Sequence, residues 1–268
     1  MRIGLKMLKS FLHKIKATFW GEGKLKGGSA VFVIMTVLSC VALIISNILA
    51  GKSFPFFGLK IGNADLVISG GILIFPVTYI LSDLFSEVYG YSASRRVTWL
   101  GFAMNVIFIL FICAGIAIPG ANSYYQNVVS DGLMNGMGLD FLKGGSNLGS
   151  LGILIASLLA FTVGSWIDDV VFEKIKKYSI SKGHSGSKAF VFRAVASSFA
   201  GEIVDTIIFV PLLYLFTQQY GTTITGFGQL MLIILIPAVM KTLYEVIISP
   251  FTAFLAKKLK AYESIQHE

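Results

Sequence analysis

Charge is scarce in this chain. Asp, Glu, Lys and Arg are 13% of its 268 residues, against about 25% in a typical soluble domain. Disorder, which needs high charge and low hydrophobicity, is excluded by an apolar content of 55%. Cysteine is nearly absent. Cys40 and Cys113 both sit in apolar runs, so neither a disulfide framework nor a metal-ligand spacing exists. The three histidines, His13, His184 and His267, lie outside those runs. That removes an intramembrane Ser–His dyad and any HExxH zinc site. No Gly-x-Ser-x-Gly elbow occurs. A phosphate-binding loop is missing too: Gly51-Lys52-Ser53 resembles its tail, but Ser46 stands where the pattern needs glycine. The polypeptide is therefore not expected to hydrolyse ATP itself, and no cofactor is implied.

What is present is long apolar blocks. A helix needs about 20 mainly apolar residues to cross about 30 Å of hydrocarbon. Six such spans are predicted, at roughly 29–50, 64–86, 97–119, 149–171, 190–216 and 229–255. The expected fold class is all-α, a polytopic membrane protein with the bilayer as its first partner. The net charge of +8 does not point to nucleic acid, because the basic residues flank apolar blocks instead of forming a stripe on a polar domain. Seven Lys and Arg precede the first span, two follow the second, five separate the fourth from the fifth, and three end the chain. The alternate segments hold Lys52, Lys60 and Lys143. The positive-inside rule then puts both termini in the cytoplasm. Residues 1–28 form a basic segment with Leu5, Leu8, Leu12, Ile15 and Phe19 at helical spacing, either a helix on the inner leaflet or a topogenic tail. Residues 29–258 form the transmembrane domain and 259–268 a cytoplasmic tail. The Gly-, Asn- and Ser-rich loop 120–148 falls outside.

Ionisable groups within spans cost about 2.5–3.5 kcal/mol each on insertion scales and mark sites by default. Glu202 and Asp205 share one face of the fifth span, and Phe209 extends it by a turn. Lys241 and Glu245 lie four apart in the sixth. At 1.5 Å per residue, these groups and Pro76 of the second span all fall near mid-membrane. A kink at Pro76 would free backbone groups, which are tolerated where they are buried or line a cavity. Simpler readings stand beside this one. Lys241 and Glu245 make a self-satisfied pair. Arg193 reaches the interface. Asp83 and Glu87 either latch to Arg95 and Arg96 or touch substrate. Asp168, Asp169 and Glu173 form a solvated helix end. Asn47 and Asn105 supply interhelical hydrogen bonds. A membrane enzyme built on Asp168-Asp169 or on Glu202 with Asp205 is the reading from another class.

Several separated stretches resemble the queuosine precursor transporter family, also called the vitamin uptake transporter family. They are Ser46-Asn47-Ile48-Leu49-Ala50-Gly51-Lys52; Gly71 through Phe75-Pro76, Ser82-Asp83, Glu87-Val88-Tyr89-Gly90 and Arg95-Arg96; Arg193 with Ser197-Ser198; Asp205 through Phe209; and Lys241, Glu245 and Pro250. Glu202 departs from the pattern, since Gln is commoner there. The resemblance implies a six-helix inner-membrane importer of 7-cyano-7-deazaguanine or 7-aminomethyl-7-deazaguanine. Such a purine-like ligand suits the residues. Its N–H edge would donate to Asp205 and Glu202, and its face would stack on Phe75, Phe209 or Tyr244. Lys241 and Glu245 would balance the charge, and a proton or cation could couple the transport. The same layout would also suit a membrane subunit driven by a separate ATPase module.

Overall fold

The computed structural model describes residue 10 and residues 29–50, 53–61, 64–122, 149–184, 186–217 and 227–266. Apart from residues 10 and 120–122, the basic N-terminal segment and the loop 120–148 lie outside the described residues. Helix α1 (Ala30–Ala50) leads into strands β1 (Ser53–Ile61) and β2 (Ala64–Ser69) and a 3-10 turn (Gly70–Leu73). Helices α2 (Phe75–Val88), α3 (Tyr91–Ala117), α4 (Gly149–Ser181), α5 (Ser187–Thr217) and α6 (Phe227–Gln266) follow. Among the described residues, α1, α3, α4, α5 and α6 hold segments long and apolar enough to cross a membrane. The chain is an all-α, multi-pass membrane protein, with one small hairpin.

The second predicted span takes a different form. Residues 64–69 pair antiparallel with β1, from Ile61↔Ala64 to Ser53↔Ser69, across a bulge between Pro55 and Lys60. Gly70 and Gly71 then make a tight, buried turn, capped where the Ser69 hydroxyl accepts from the Gly71 amide at 3.3 Å. Pro76 stands in the first turn of α2. It starts a helix there and does not kink one, because its missing N–H is an orphan at that position anyway. A 14-residue helix rises about 21 Å, short of a full span. Hydropathy summed across the apolar strand and the apolar helix hid the break between them, since short apolar runs do not reveal their own period.

Helix α2 is the hub. Twelve of its residues are buried, so α1, α3, α4, α5 and α6 close around it. Ile34, Leu38, Val41 and Ile45 of α1, and Leu243, Val246, Ile247 and Phe251 of α6, stay exposed as an apolar belt. Such a belt has a place in hydrocarbon, which solvates it without cost.

The helix ends predicted on one side meet at one end of the bundle. Tyr89 and Ser29 donate hydrogen bonds to Glu263, the first at 2.7 Å. Glu87 faces Arg193 at 3.0 Å, Lys176 at 3.5 Å and Lys260. Phe85, Phe172, Phe190 and Leu84 pack beneath this basic end. Residues 259–266, set apart in the sequence reading, continue α6, with Leu259 and Glu263 buried.

Candidate functional site

Along α2, Glu87, Asp83, Tyr79 and Phe75 recur every four residues and so share one face. They mark three polar layers completed by α4, α5 and α6, with Tyr79 and Phe75 both in the third. The first layer is the Glu87 cluster at the basic end. In the second, the Ser197 hydroxyl lies 3.4 Å from Asp83, and Ser198 lies 3.5 Å from Asp83 and 3.4 Å from Asp168. Glu245 reaches the same Ser198 and Asp83. In the third, Lys241 donates to Asp205 at 3.3 Å and lies 4.2 Å above the Phe75 ring. Asp205 is 12 residues along α5 from Arg193, so the third layer is about 18 Å deeper than the first.

Helices α4 and α5 cross at two glycines. A Cβ on Gly164 would meet Asp205 Cβ and the Tyr79 hydroxyl, each at 2.8 Å. A Cβ on Gly201 would meet Asp168 Cβ at 2.8 Å and the Tyr79 ring at 3.0 Å. The contact is reciprocal, each glycine seating the aspartate of the other helix. Tyr79 lies across the crossing, 1% exposed, and its hydroxyl has no hydrogen-bond partner among the described residues. Glu202 is 1% exposed with the Thr242 hydroxyl beside it, and neither carboxylate oxygen is well partnered among the described residues. Phe75, Tyr79, Phe161 and Leu43 pack as one aromatic cluster beside these groups.

Several sequence readings change. Asp168 and Asp169 are 0% and 1% exposed, so they are not a solvated helix end. Glu173, partly exposed and paired with Lys177 at 3.4 Å, keeps that description. Asp169 accepts from Ser82, Ser86, Ser94 and Arg95 at 2.7–3.1 Å. Arg95 therefore bonds α4, and Glu87 bonds Arg193, Lys176 and Lys260. A latch of Asp83 and Glu87 to Arg95 and Arg96 is not what forms. Arg96 is half-buried. Arg193 is 3% exposed and is not snorkelling to an interface. Lys241 pairs with Asp205 across two helices, not with Glu245 in its own. The physical reason is common to all. An acid or base four residues away on the same helix competes with partners from four neighbouring helices, and those partners are invisible in a linear sequence.

Asn47 accepts from Ser157 at 2.8 Å, joining α1 to α4. Asn105 is 1% exposed with both amide atoms unpartnered. Phe209 is half-buried. Tyr244 packs against the basic-end cluster, so the ring at Lys241 is Phe75. Sequence reasoning passed over the glycine crossing and read Asp168 as a solvated helix end or as half of an enzyme's acid pair. The signal was there: Gly164-x-x-x-Asp168 and Gly201-x-x-x-Asp205 are one spacing used twice, with the small residue that close helix packing requires.

A buried, aromatic-walled group of carboxylates with one ammonium can accept N–H donors from a flat polar molecule. A family model described as "Putative vitamin uptake transporter" matches residues 69–255. The chain belongs to this family. The match begins at Ser69, where β2 ends, and runs to Leu255, so it takes in α2 and all three polar layers. No curated protein and no solved structure matches the chain. Family membership makes the chain an uptake transporter of the vitamin type, and it speaks for carrying a solute, not converting one.

Proposed function

We propose that this vitamin-type transporter imports 7-cyano-7-deazaguanine or 7-aminomethyl-7-deazaguanine across the inner (cytoplasmic) membrane, acting without a nucleotide-hydrolysing partner. The observation that carries the reading is the third layer. Asp205 and Lys241 are paired, Phe75 lies under the ammonium, and Glu202 and Tyr79 offer unsatisfied polar atoms. A deazaguanine presents N–H donors along one edge and a carbonyl acceptor beside them. The carboxylates of Asp205 and Glu202 match the donors, and Lys241 and the Tyr79 hydroxyl match the acceptor. Stacking on Phe75 contributes about 1–3 kcal/mol by analogy with base–aromatic contacts. Asn105, buried with a whole amide unspent, is a second place for an edge contact. The basic end is cytoplasmic in this reading, in line with the distribution of Lys and Arg.

The test is thermal stabilisation of the detergent-purified chain by 7-cyano-7-deazaguanine, guanine and a panel of vitamins, followed by uptake into liposomes containing this chain alone. Specific stabilisation by the deazaguanine grows with ligand concentration by mass action. Stabilisation by a vitamin instead, or uptake that needs ATP and a second protein, would replace this reading with the subunit alternative.

A further inference from the structure

Two acids adjacent in α4 meet opposite fates. Asp169 receives three hydroxyls and the Arg95 guanidinium. Asp168, 0% exposed, has the Ser198 hydroxyl at 3.4 Å on one oxygen and no partner on the other. Ser198 and Ser197 carry one hydroxyl proton each, yet the two are shared among three acids, Asp168, Asp83 and Glu245, and one oxygen of Glu245 has no partner among the described residues. The charged groups on the surrounding helices do not relieve this. From α2 come Asp83 and Tyr79, from α5 Glu202 and Asp205, and from α6 Glu245 and Lys241. Among the described residues, Arg95 of α3 is bonded to Asp169, Lys241 to Asp205, and the cations of the basic end to Glu87. No cation reaches Asp168. A buried carboxylate left without a counter-charge is strongly unfavourable.

We propose that Asp168, with Asp83 and Glu245, binds the proton that drives import, and that Tyr79 links this site to Asp205. The inference rests on the reading of the chain as an importer that works without a nucleotide-hydrolysing partner. Among the described residues no group of His, Cys, Asp and Glu has the arrangement of a metal site, which favours a proton over a metal ion as the neutralising charge. Loading adds one proton to a carboxylate oxygen of Asp168 and cancels one negative charge. Release returns that proton to water on the opposite side, and no other bond changes. The reciprocal glycine crossing supplies the link. Asp168 packs on Gly201 and Asp205 on Gly164, and Tyr79 touches both glycines, its hydroxyl unspent at the Asp205 side. A ligand that engages Asp205 and Tyr79 shifts the two helices that also enclose Asp168.

The test uses the purified full chain in liposomes loaded to an alkaline interior. One proton per neutral substrate and a one-unit pH difference support about tenfold accumulation of 7-cyano-7-deazaguanine. Asp168→Asn mimics the loaded state, so it should abolish accumulation while keeping substrate exchange across the membrane. Infrared spectra at neutral pH give a readout that needs no substrate: a protonated-carboxyl carbonyl band, present in the native chain and diminished in Asp168→Asn. Asp83→Asn and Glu245→Gln, which should each weaken accumulation, stand in if Asp168→Asn fails to fold. Accumulation by Asp168→Asn at the native level, accumulation driven by sodium but not by pH, or a native chain without the carboxyl band would each overturn the proposal. A native chain that shows the band but ignores the deazaguanine would instead refute the substrate reading and leave the proton site standing.

Discussion

Alanine at Gly164 tests whether the α4–α5 crossing builds the site. The added methyl would lie 2.8 Å from Asp205 Cβ, 2.8 Å from the Tyr79 hydroxyl and 2.9 Å from the Gly201 carbonyl oxygen. Carbon atoms prefer about 3.5–4.0 Å. Two of the three obstacles are a backbone atom and a Cβ, which cannot swing aside, and the third belongs to a ring that is 1% exposed. Helix propensity favours alanine over glycine by about 1 kcal/mol. Overpacking of a tight core costs about 1–3 kcal/mol, and three simultaneous clashes put this site at the upper end. The clash wins, by about 1–2 kcal/mol, and a chain of this size loses about 2–4 °C in Tm per kcal/mol.

The assay is thermal unfolding in detergent, with and without 7-cyano-7-deazaguanine. Gly101 is the control, because a Cβ there would meet Leu43 at an ordinary 3.5 Å. Gly101→Ala should match or exceed the native Tm. Gly164→Ala and Gly201→Ala should each fall below it and lose most of the ligand-induced rise, since spreading the helices separates Asp205 from Lys241. The double variant should cost less than the sum, because one separation relieves both clashes. A Gly164→Ala protein as stable and as ligand-responsive as Gly101→Ala would refute the reasoning.

Asp205→Asn replaces an acceptor with a donor facing the ligand's own donors. Loss of a charged hydrogen bond, about 1.5–3 kcal/mol, is roughly 10- to 150-fold in Kd, read by ligand titration; unchanged affinity in a folded protein would make this carboxylate structural. Arg193→Ala removes the most buried of the three cations on Glu87 and should cost about 1.5–3 kcal/mol of stability, the range for a charged hydrogen bond. Lys260→Ala removes a cation that is 47% exposed and should cost less than about 1 kcal/mol; equal losses in chemical unfolding would show that depth does not grade this cluster. A reporter fused near Gly183 should read as cytoplasmic and one near Asn135 as external, and the reverse pattern would invert the bundle.

Much of this was legible before any coordinates. Apolar blocks gave the long helices because burial in lipid demands length and little else. Asp205 and Lys241 announced themselves because a lone charge in a span is costly. What stayed hidden depended on partners from other helices. Asp168 and Asp169 sit near a lysine-rich segment, which reads as solvent, yet α2, α3 and α5 together bury them. Helix α2 itself was misjudged at its start, since an apolar strand running into an apolar helix has the hydropathy of one span. The Gly-x-x-x-Asp spacing in α4 and α5 was plain in the sequence, but its reciprocity exists only once the two helices run antiparallel and cross.

The three layers differ in how their acids are balanced, and that difference ranks the cost of parting each contact. Glu87 has three cations, at side-chain exposures of 4% for Arg193, 18% for Lys176 and 47% for Lys260. Water already competes for Lys260, so that contact loosens first and at least cost. Arg193 is the last to let go, because parting it from Glu87 leaves two buried charges until solvent arrives. Opening the basic end therefore needs free energy from elsewhere in the molecule. Asp205, balanced by one lysine, has little to give while that pair holds. Asp168 has no cation partner among the described residues, and the layer it shares with Asp83 and Glu245 lies directly between Asp205 and Glu87. A charge placed or removed there acts on α2, α5 and α6 together, the helices that carry Glu87, Arg193 and Lys260. Under the proposed proton scheme, the middle layer is the position from which one bound proton would act on both the Asp205–Lys241 pair and the ion pairs of the basic end.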